Sequence, residues 1–260
     1  MHGNVVHRDR IEPGPSAAVA ALLVTECGRD GPLVAIPRAE IQLVARFGAS
    51  ARGGLDLHVF GVQQKVRRKF ICAGQKTVAA RFHLGTAPAV VGATASAVAG
   101  RVIGLDDLWG AAATRRLAER LAAARSTAEA VAIMERAIAE RLALAQGRSA
   151  APHLALEAAG RLAQANVSRV AADLGVSERH LRRVFREAVG MGPKEFARLA
   201  RFHRALRAAQ QHGRANWAAI AAAAGYYDQA HLIDEFRAIA GVTPRILLGE
   251  LAGASAQLGR

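Results

Sequence analysis

The sequence predicts two domains of different kinds. The first is α+β: a small antiparallel sheet or partial barrel plus helices. The second is all-α and built on two helix-turn-helix units. Three observations predict this. Apolar residues alternate with period two between about Leu33 and Leu84. From Leu105 onward the period becomes helical. Roughly the last 110 residues contain an internal duplication.

In chain order, Ala17–Val24 (AAVAALLV) reads as a short buried helix. The acids Asp9 and Glu12 and the Pro13-Gly14-Pro15 turn before it do not suit a secretory leader. Ile41, Leu43, Ala45 and Phe47 then alternate with more polar neighbours, as do Leu55, Leu57 and Val59, and Val78, Ala80, Phe82 and Leu84. Each set marks one face of a short strand, and Gly48, Gly53, Gly54 and Gly74 punctuate them. Lys65, Arg67, Arg68 and Lys69 form a basic run between strands, read as a solvated loop; holding an anionic effector or assisting at DNA are its other readings. Asp106 or Asp107 opens a helix expected to run through Ala124. Ser126 or Thr127, with Glu129, opens another to about Leu144, with Val131, Met134, Ile138 and Leu142 along one side. These two helices suit either a dimer interface or packing on their own sheet. Gln146–Pro152 (QGRSAAP) reads as a linker.

Composition bounds the function. Of 260 residues 52% are hydrophobic, enough for a substantial core, and the net charge is +14, which favours a polyanionic partner. The two cysteines, Cys27 and Cys72, form no CxxC pair or zinc-spaced cluster and suit a reducing cytoplasm as ordinary core or strand residues. His58 and His83 lack ligand-spaced partners, so no metal is expected. No nucleophile–base pair or phosphate-cradling loop stands out. No catalytic residue, cofactor or membrane span is expected.

The duplication is the most specific signal. Ala171, Gly175, Ser177, Leu181, Phe185, Gly190 and Pro193 recur as Ala221, Gly225, Asp228, Leu232, Phe236, Gly241 and Pro244. From Ser177 and Asp228 onward the steps are four, four, five and three in both copies; before them the second copy has one extra residue. Each copy has the chemistry of a helix-turn-helix. A small residue lets two helices approach, a glycine ends the first, and a polar residue caps the second. Leucine and phenylalanine one turn apart then seat the second helix on the first.

At about 100° per residue, Leu181, Val184, Phe185 and Ala188 share one sector of the helix after Ser177. Arg179, Arg182, Arg183 and Arg186 share the opposite sector, from which the local acids Glu178 and Glu187 are absent. One face is therefore expected to be buried while the other presents four guanidiniums, which match guanine edges and phosphates. Residues 178–207 hold nine Lys/Arg against three Glu, a net of +6. Lys194, Arg198, Arg201, Arg204 and Arg207 continue the basic theme along the next helix.

The segments VSRVAADLGVSERHLRRVFREAVGMGPKEFARLARFHRAL and IAAAAGYYDQAHLIDEFRAIAGVTP resemble the DNA-binding domain of AraC/XylS-type transcription regulators. The resemblance covers about 100 residues. It implies seven helices, with two helix-turn-helix units joined by a connecting helix. RFHLGTAPAVVGATASAVAGRVIGLDDLWG resembles an N-terminal class fused to such domains. The implied organisation is a sensor and dimerisation domain over 1–146, β-rich to about 104 and helical over 105–145, then a linker at 147–152. An all-α DNA-binding domain follows at 153–260, with helix-turn-helix units at 167–190 and 216–241 and a connecting helix at 193–211.

In this family the two recognition helices enter successive major grooves, about one DNA turn apart. Carried onto this sequence, Arg179, Arg182 and Arg183 are the expected base readers of the first unit. Gln229, Ala230, Ile233 and Asp234 are those of the second. Arg186, Lys194, Arg198, Arg201 and Arg237 are expected on phosphates. The second unit departs from the family pattern: Asp234 stands where a basic residue is common, and with Asp228 and Glu235 it makes the helix locally acidic. The first unit is therefore expected to supply most of the affinity.

The expected protein is a non-enzymatic, sequence-specific transcription regulator of the bacterial cytoplasm, nucleoid-associated when bound to DNA. Its expected partners are double-stranded DNA, a second copy in a homodimer, RNA polymerase and an unidentified small-molecule effector. One alternative fuses the DNA-binding domain to an alkyl-transfer, repair-like enzyme, which two isolated cysteines do not favour. Another is a nonspecific DNA-binding protein.

Overall fold

A computed structural model describes residues 8–11, 18–49, 51–145, 153–211 and 216–258. The linker expected at 147–152 lies outside them. The N-terminal part contains β1 (Arg8–Ile11), β2 (Val19–Glu26), β3 (Gly31–Ala35), β4 (Gln42–Phe47), β5 (Leu55–Phe60), β6 (Arg67–Ile71), β7 (Lys76–Phe82) and β8 (Val102–Gly104). Six of these form an antiparallel sheet in the order β1-β2-β7-β4-β5-β8, while β3 and β6 pair separately as an antiparallel ribbon. The helices of this part are α1 (Ala87–Val91), α2 (Ala95–Val98), α3 (Leu105–Trp109), α4 (Ala111–Ala122) and α5 (Thr127–Leu144).

Three expectations are corrected here. The apolar run at Ala17–Val24 is no helix: Val19–Glu26 is strand β2, hydrogen-bonded to both β1 and β7. A strand held on both edges and buried along much of its length loses its alternation, so periodicity alone cannot separate it from a helix. The basic run is no loop: Arg67, Arg68 and Lys69 lie in β6, paired with Ala35, Val34 and Leu33. The helix expected from Asp106 through Ala124 is broken by Gly110, whose φ of +80° separates α3 from α4.

Helix α5 starts as its sequence requires. The Ser126 hydroxyl accepts from the Glu129 amide at 3.1 Å, and the Glu129 carboxylate accepts from the Arg125 amide at 2.7 Å. Val131, Met134 and Ile138 are buried with Leu117 and Leu121 of α4. The apolar faces of α4 and α5 are thus largely consumed within the monomer.

Among the described residues seven helices follow: α6 (His153–Leu162), α7 (Val167–Asp173), α8 (Glu178–Val189), α9 (Pro193–Gln211), α10 (Trp217–Ala224), α11 (Gln229–Ala240) and α12 (Pro244–Leu258). Helices α7 and α8 form one helix-turn-helix, α10 and α11 the other. All four carry a polar N-cap: Asn166, Ser177, Asn216 and Asp228 each accept from a backbone amide three residues on. Gly175 and Gly225 take φ of +66° and +82° in the two turns. Leu181 and Phe185 of α8, and Leu232 and Phe236 of α11, are completely buried. Phe202 of the connecting helix α9 meets Phe236 at 4.6 Å between ring centroids, and Phe196 meets Phe185 edge-on at 5.3 Å. One connecting helix thereby holds both units.

The apolar core continues from the sheet into the helical part. Four polar contacts reinforce that seam. The Val66 amide donates to the Ile239 carbonyl at 2.9 Å. Arg68 donates to the Ala240 carbonyl at 2.9 Å and pairs with Glu250 of α12 at 2.8 Å. His203 of α9 donates to the Pro37 carbonyl at 2.7 Å. At the end of α8, a Cβ on Gly190 would stand 2.7 Å from the Ala95 carbonyl oxygen of α2.

The two glycines therefore differ in kind. Gly175→Ala meets nothing within 4 Å and carries only left-handed strain, an expected cost of about 1–2 kcal/mol. Gly190→Ala combines that strain, at φ +85°, with a backbone clash across the seam and is expected to cost distinctly more. Urea unfolding of both variants checks this; equal losses would show that α2 does not bear closely on α8.

Candidate nucleic-acid interface

On α8 the buried side is Leu181, Phe185 and Ala188, with Val184 half-buried. Arg179, Arg182, Arg183 and Arg186 are all exposed on the other. The local acids nevertheless reach these arginines. Glu178 pairs with Arg182 and Glu187 with Arg183, each across four residues, because that spacing brings side chains together on a helix. The expectation of an arginine face free of acid partners is corrected accordingly. Exposed pairs of this type hold about 0.3–0.5 kcal/mol, so they exchange readily for a stronger anionic partner. Arg179, Arg186 and Lys194 make no ion pair with described residues.

The arginines of α9 behave differently. Arg198 donates to Glu235 of α11 at 2.6 Å. Arg201 is half-buried, its guanidinium 5.8 Å from the centre of the Tyr226 ring. Arg204 donates to the carbonyls of Ala224, at the end of α10, and Ala163, just beyond α6. At a spacing of three residues these side chains form a ladder that fastens α9 to the second helix-turn-helix. Charge and periodicity show a basic stripe but not which neighbour meets it. The signal available in the sequence was a helix carrying apolar and basic residues on adjoining faces.

The acids of α11 are likewise engaged. Asp228 is the N-cap, accepting from the His231 amide at 2.7 Å. Asp234 pairs with Arg237 at 3.3 Å, and Glu235 turns inward to Arg198. The local acidity visible in the sequence is therefore largely offset. Gln229 and Ala230 are exposed near the start of the helix, Ile233 is half-buried and Arg237 is exposed.

At the seam a cavity of 660 Å³ is lined by Arg38, Glu40 and Leu84 from the N-terminal part and by His203 and Arg207 of α9. Cys27 is buried, while Cys72 is exposed and lies just past β6, so the latter is neither the core nor the strand residue expected. Among the described residues no cluster of three or more His, Cys, Asp or Glu is arranged to hold a metal ion. None of the described helices is long and apolar enough to cross a membrane.

A family model described as a helix-turn-helix domain matches residues 170–248. The chain is similar to a DNA-binding transcriptional dual regulator from Escherichia coli K-12, at 23% identity over 38% of this chain and 98% of that one, with a TM-score of 0.33. It is also similar to ToxT from Vibrio cholerae O395, at 9% identity over 89% of this chain and 98% of the other, with a TM-score of 0.43. Unsaturated fatty acid-bound ToxT from Vibrio cholerae strain SCE256 aligns at 8% identity over 90% and 95%, with a TM-score of 0.41. No curated protein matches the chain.

The position of His203 makes the seam sensitive to pH. Burial, chiefly, holds its pKa below the ordinary imidazole value; the Pro37 hydrogen bond opposes this in part, while Arg38 adds to it. Glu40 raises it and Arg207 lowers it further. The folded protein thus favours the neutral ring. Its contribution is present above the unfolded pKa, about 6.5, and is lost as pH falls through the folded value. Wild type should lose more Tm than His203→Gln between about pH 7.5 and pH 5. Parallel Tm curves would remove His203 from this role.

Proposed function

We propose that the C-terminal region, whose residues 170–248 match a helix-turn-helix family model, is an AraC-type DNA-binding domain, and that the protein reads a specific DNA sequence with both of its helix-turn-helix units. The observation that carries this reading is the division of α8 into a buried apolar face and an exposed face of four arginines. In the proposed complex α8 and α11 enter successive major grooves. Arg179, Arg182 and Arg183 meet base edges in one, while Gln229, Ala230, Ile233 and Asp234 face those of the other. Arg186, Lys194 and Arg237 meet phosphates. Arg198 and Arg201 act by holding the second unit in place.

Selection from a random duplex pool, followed by competition binding with the full chain, tests this. A defined motif should emerge that random duplex displaces poorly. Arg183→Ala should lose about 1–3 kcal/mol and relax preference at one base position. Equal displacement by random duplex would leave a nonspecific DNA-binding protein instead.

The N-terminal domain is proposed to sense a small molecule at the seam. The 660 Å³ cavity there draws its walls from both domains, so an occupant would act on both at once. Arg38 and Arg207 against Glu40 favour an organic anion. A panel of small carboxylates should contain one that raises the Tm of wild type but not of Arg38→Ala. If no member raises Tm, or if both proteins respond equally, the seam is not the site.

A further inference from the structure

The two helix-turn-helix copies differ by one residue in the turn, and the backbone identifies which. In the first unit the Val176 amide donates to the Ala171 carbonyl at 3.0 Å. In the second the Tyr226 amide donates to the Ala221 carbonyl at 2.9 Å. Tyr226 therefore takes the place of the half-buried Val176, and it is buried. The surplus residue is Tyr227, standing between that bond and the N-cap Asp228. Tyr227 is 93% exposed, more than any other large hydrophobic side chain among the described residues.

A single exposed aromatic is ordinary on a protein surface. Its place here is not. The N-terminal end of the second helix of such a unit is the end that approaches the DNA. The C-terminal end of α11 is occupied by Val66 and Arg68 from the N-terminal domain, so it is turned toward the rest of the protein. At the free end α11 is short of cations. Arg237, the phosphate contact proposed above, lies in its last turn, away from this end. Gln229 and Ala230 are neutral. The nearest basic side chains on α9, Arg198, Arg201 and Arg204, are spent on Glu235, Tyr226 and backbone carbonyls. A neutral donor can hold a helix placed this way in register on the duplex, and a tyrosine hydroxyl is one of the groups that does so at phosphates.

We propose that Tyr227 is a DNA-positioning residue of the second unit, its hydroxyl donating to a phosphate oxygen at the edge of the groove that α11 enters. This rests on the DNA-binding reading above. Because the donor is uncharged, its contact releases no counterion and adds nothing to the salt dependence of binding.

The test is equilibrium binding of the full chain to the selected site and to a site library, at several salt concentrations. Wild type, Tyr227→Phe, Tyr227→Ala and Arg183→Ala are compared. Tyr227→Phe should weaken binding about three- to tenfold, the range of one lost hydrogen bond. The loss should be uniform across the library, with the salt slope and the Tm unchanged. Wild-type affinity in Tyr227→Phe overturns the proposal, whether or not Tyr227→Ala binds more weakly. A loss confined to one base position also overturns it, in favour of base reading. Arg183→Ala separates the two levels. If it weakens binding while Tyr227→Phe does not, only the role of Tyr227 falls. If neither affects binding, the DNA-binding reading falls with it.

Discussion

The arrangement depends on how the two arginine-bearing and acid-bearing helices end. Helix α8 terminates at Gly190, pressed so closely against the Ala95 carbonyl that no side chain fits. Helix α11 terminates where Val66 and Arg68 supply donors to its last carbonyls. A helix C-terminus leaves carbonyls without internal partners, and a guanidinium there meets both the hydrogen-bonding need and the negative end of the helix dipole. Both helices therefore end against one N-terminal domain. Their relative placement follows from that domain as well as from α9, and a change at the seam has a direct mechanical route to both.

The arginines divide by surroundings and not by number. Those of α8 lie on a solvated face, where their pairs with Glu178 and Glu187 hold little energy and are easily exchanged. Arg198, Arg201 and Arg204 of α9 are engaged within the protein, where Arg198 and Arg204 replace interactions that would otherwise leave Glu235 and two helix-end carbonyls wanting partners. Removing a partner from such a half-buried network costs more than removing an exposed charge. The net charge of +14 is thus a poor guide to the area available to an anionic surface.

Much of the helical part was legible because its signals are local. The caps Ser177 and Asp228, the turn glycines Gly175 and Gly225 and the buried Leu–Phe pairs each act within a few residues, and duplication presents them twice. The strands β4, β5 and β7 were legible through alternation. Strand β2 was not, since burial along most of its length removes the alternation that identifies a strand. Strand β6 was not either, because its charges resemble those of a solvated loop; its pairing with β3 and the Arg68–Glu250 contact lie far away in sequence. The identity of the surplus turn residue needed the backbone bond of Tyr226 to fix the alignment.

By itself the sequence determined which face of α8 is apolar and which is basic, where the helix-turn-helix helices begin, and that two such units follow a β-rich domain. These follow from helical periodicity, capping and turn chemistry, all short in range. Only the tertiary structure decided which charges remain exposed. Arg198 and Arg201 look no different in sequence from Arg182 and Arg183. The difference arises because α9 lies against α10 and α11 while Arg179, Arg182, Arg183 and Arg186 of α8 are exposed among the described residues. A charge acquires its role from what packs beside it, and packing joins residues that the chain holds far apart.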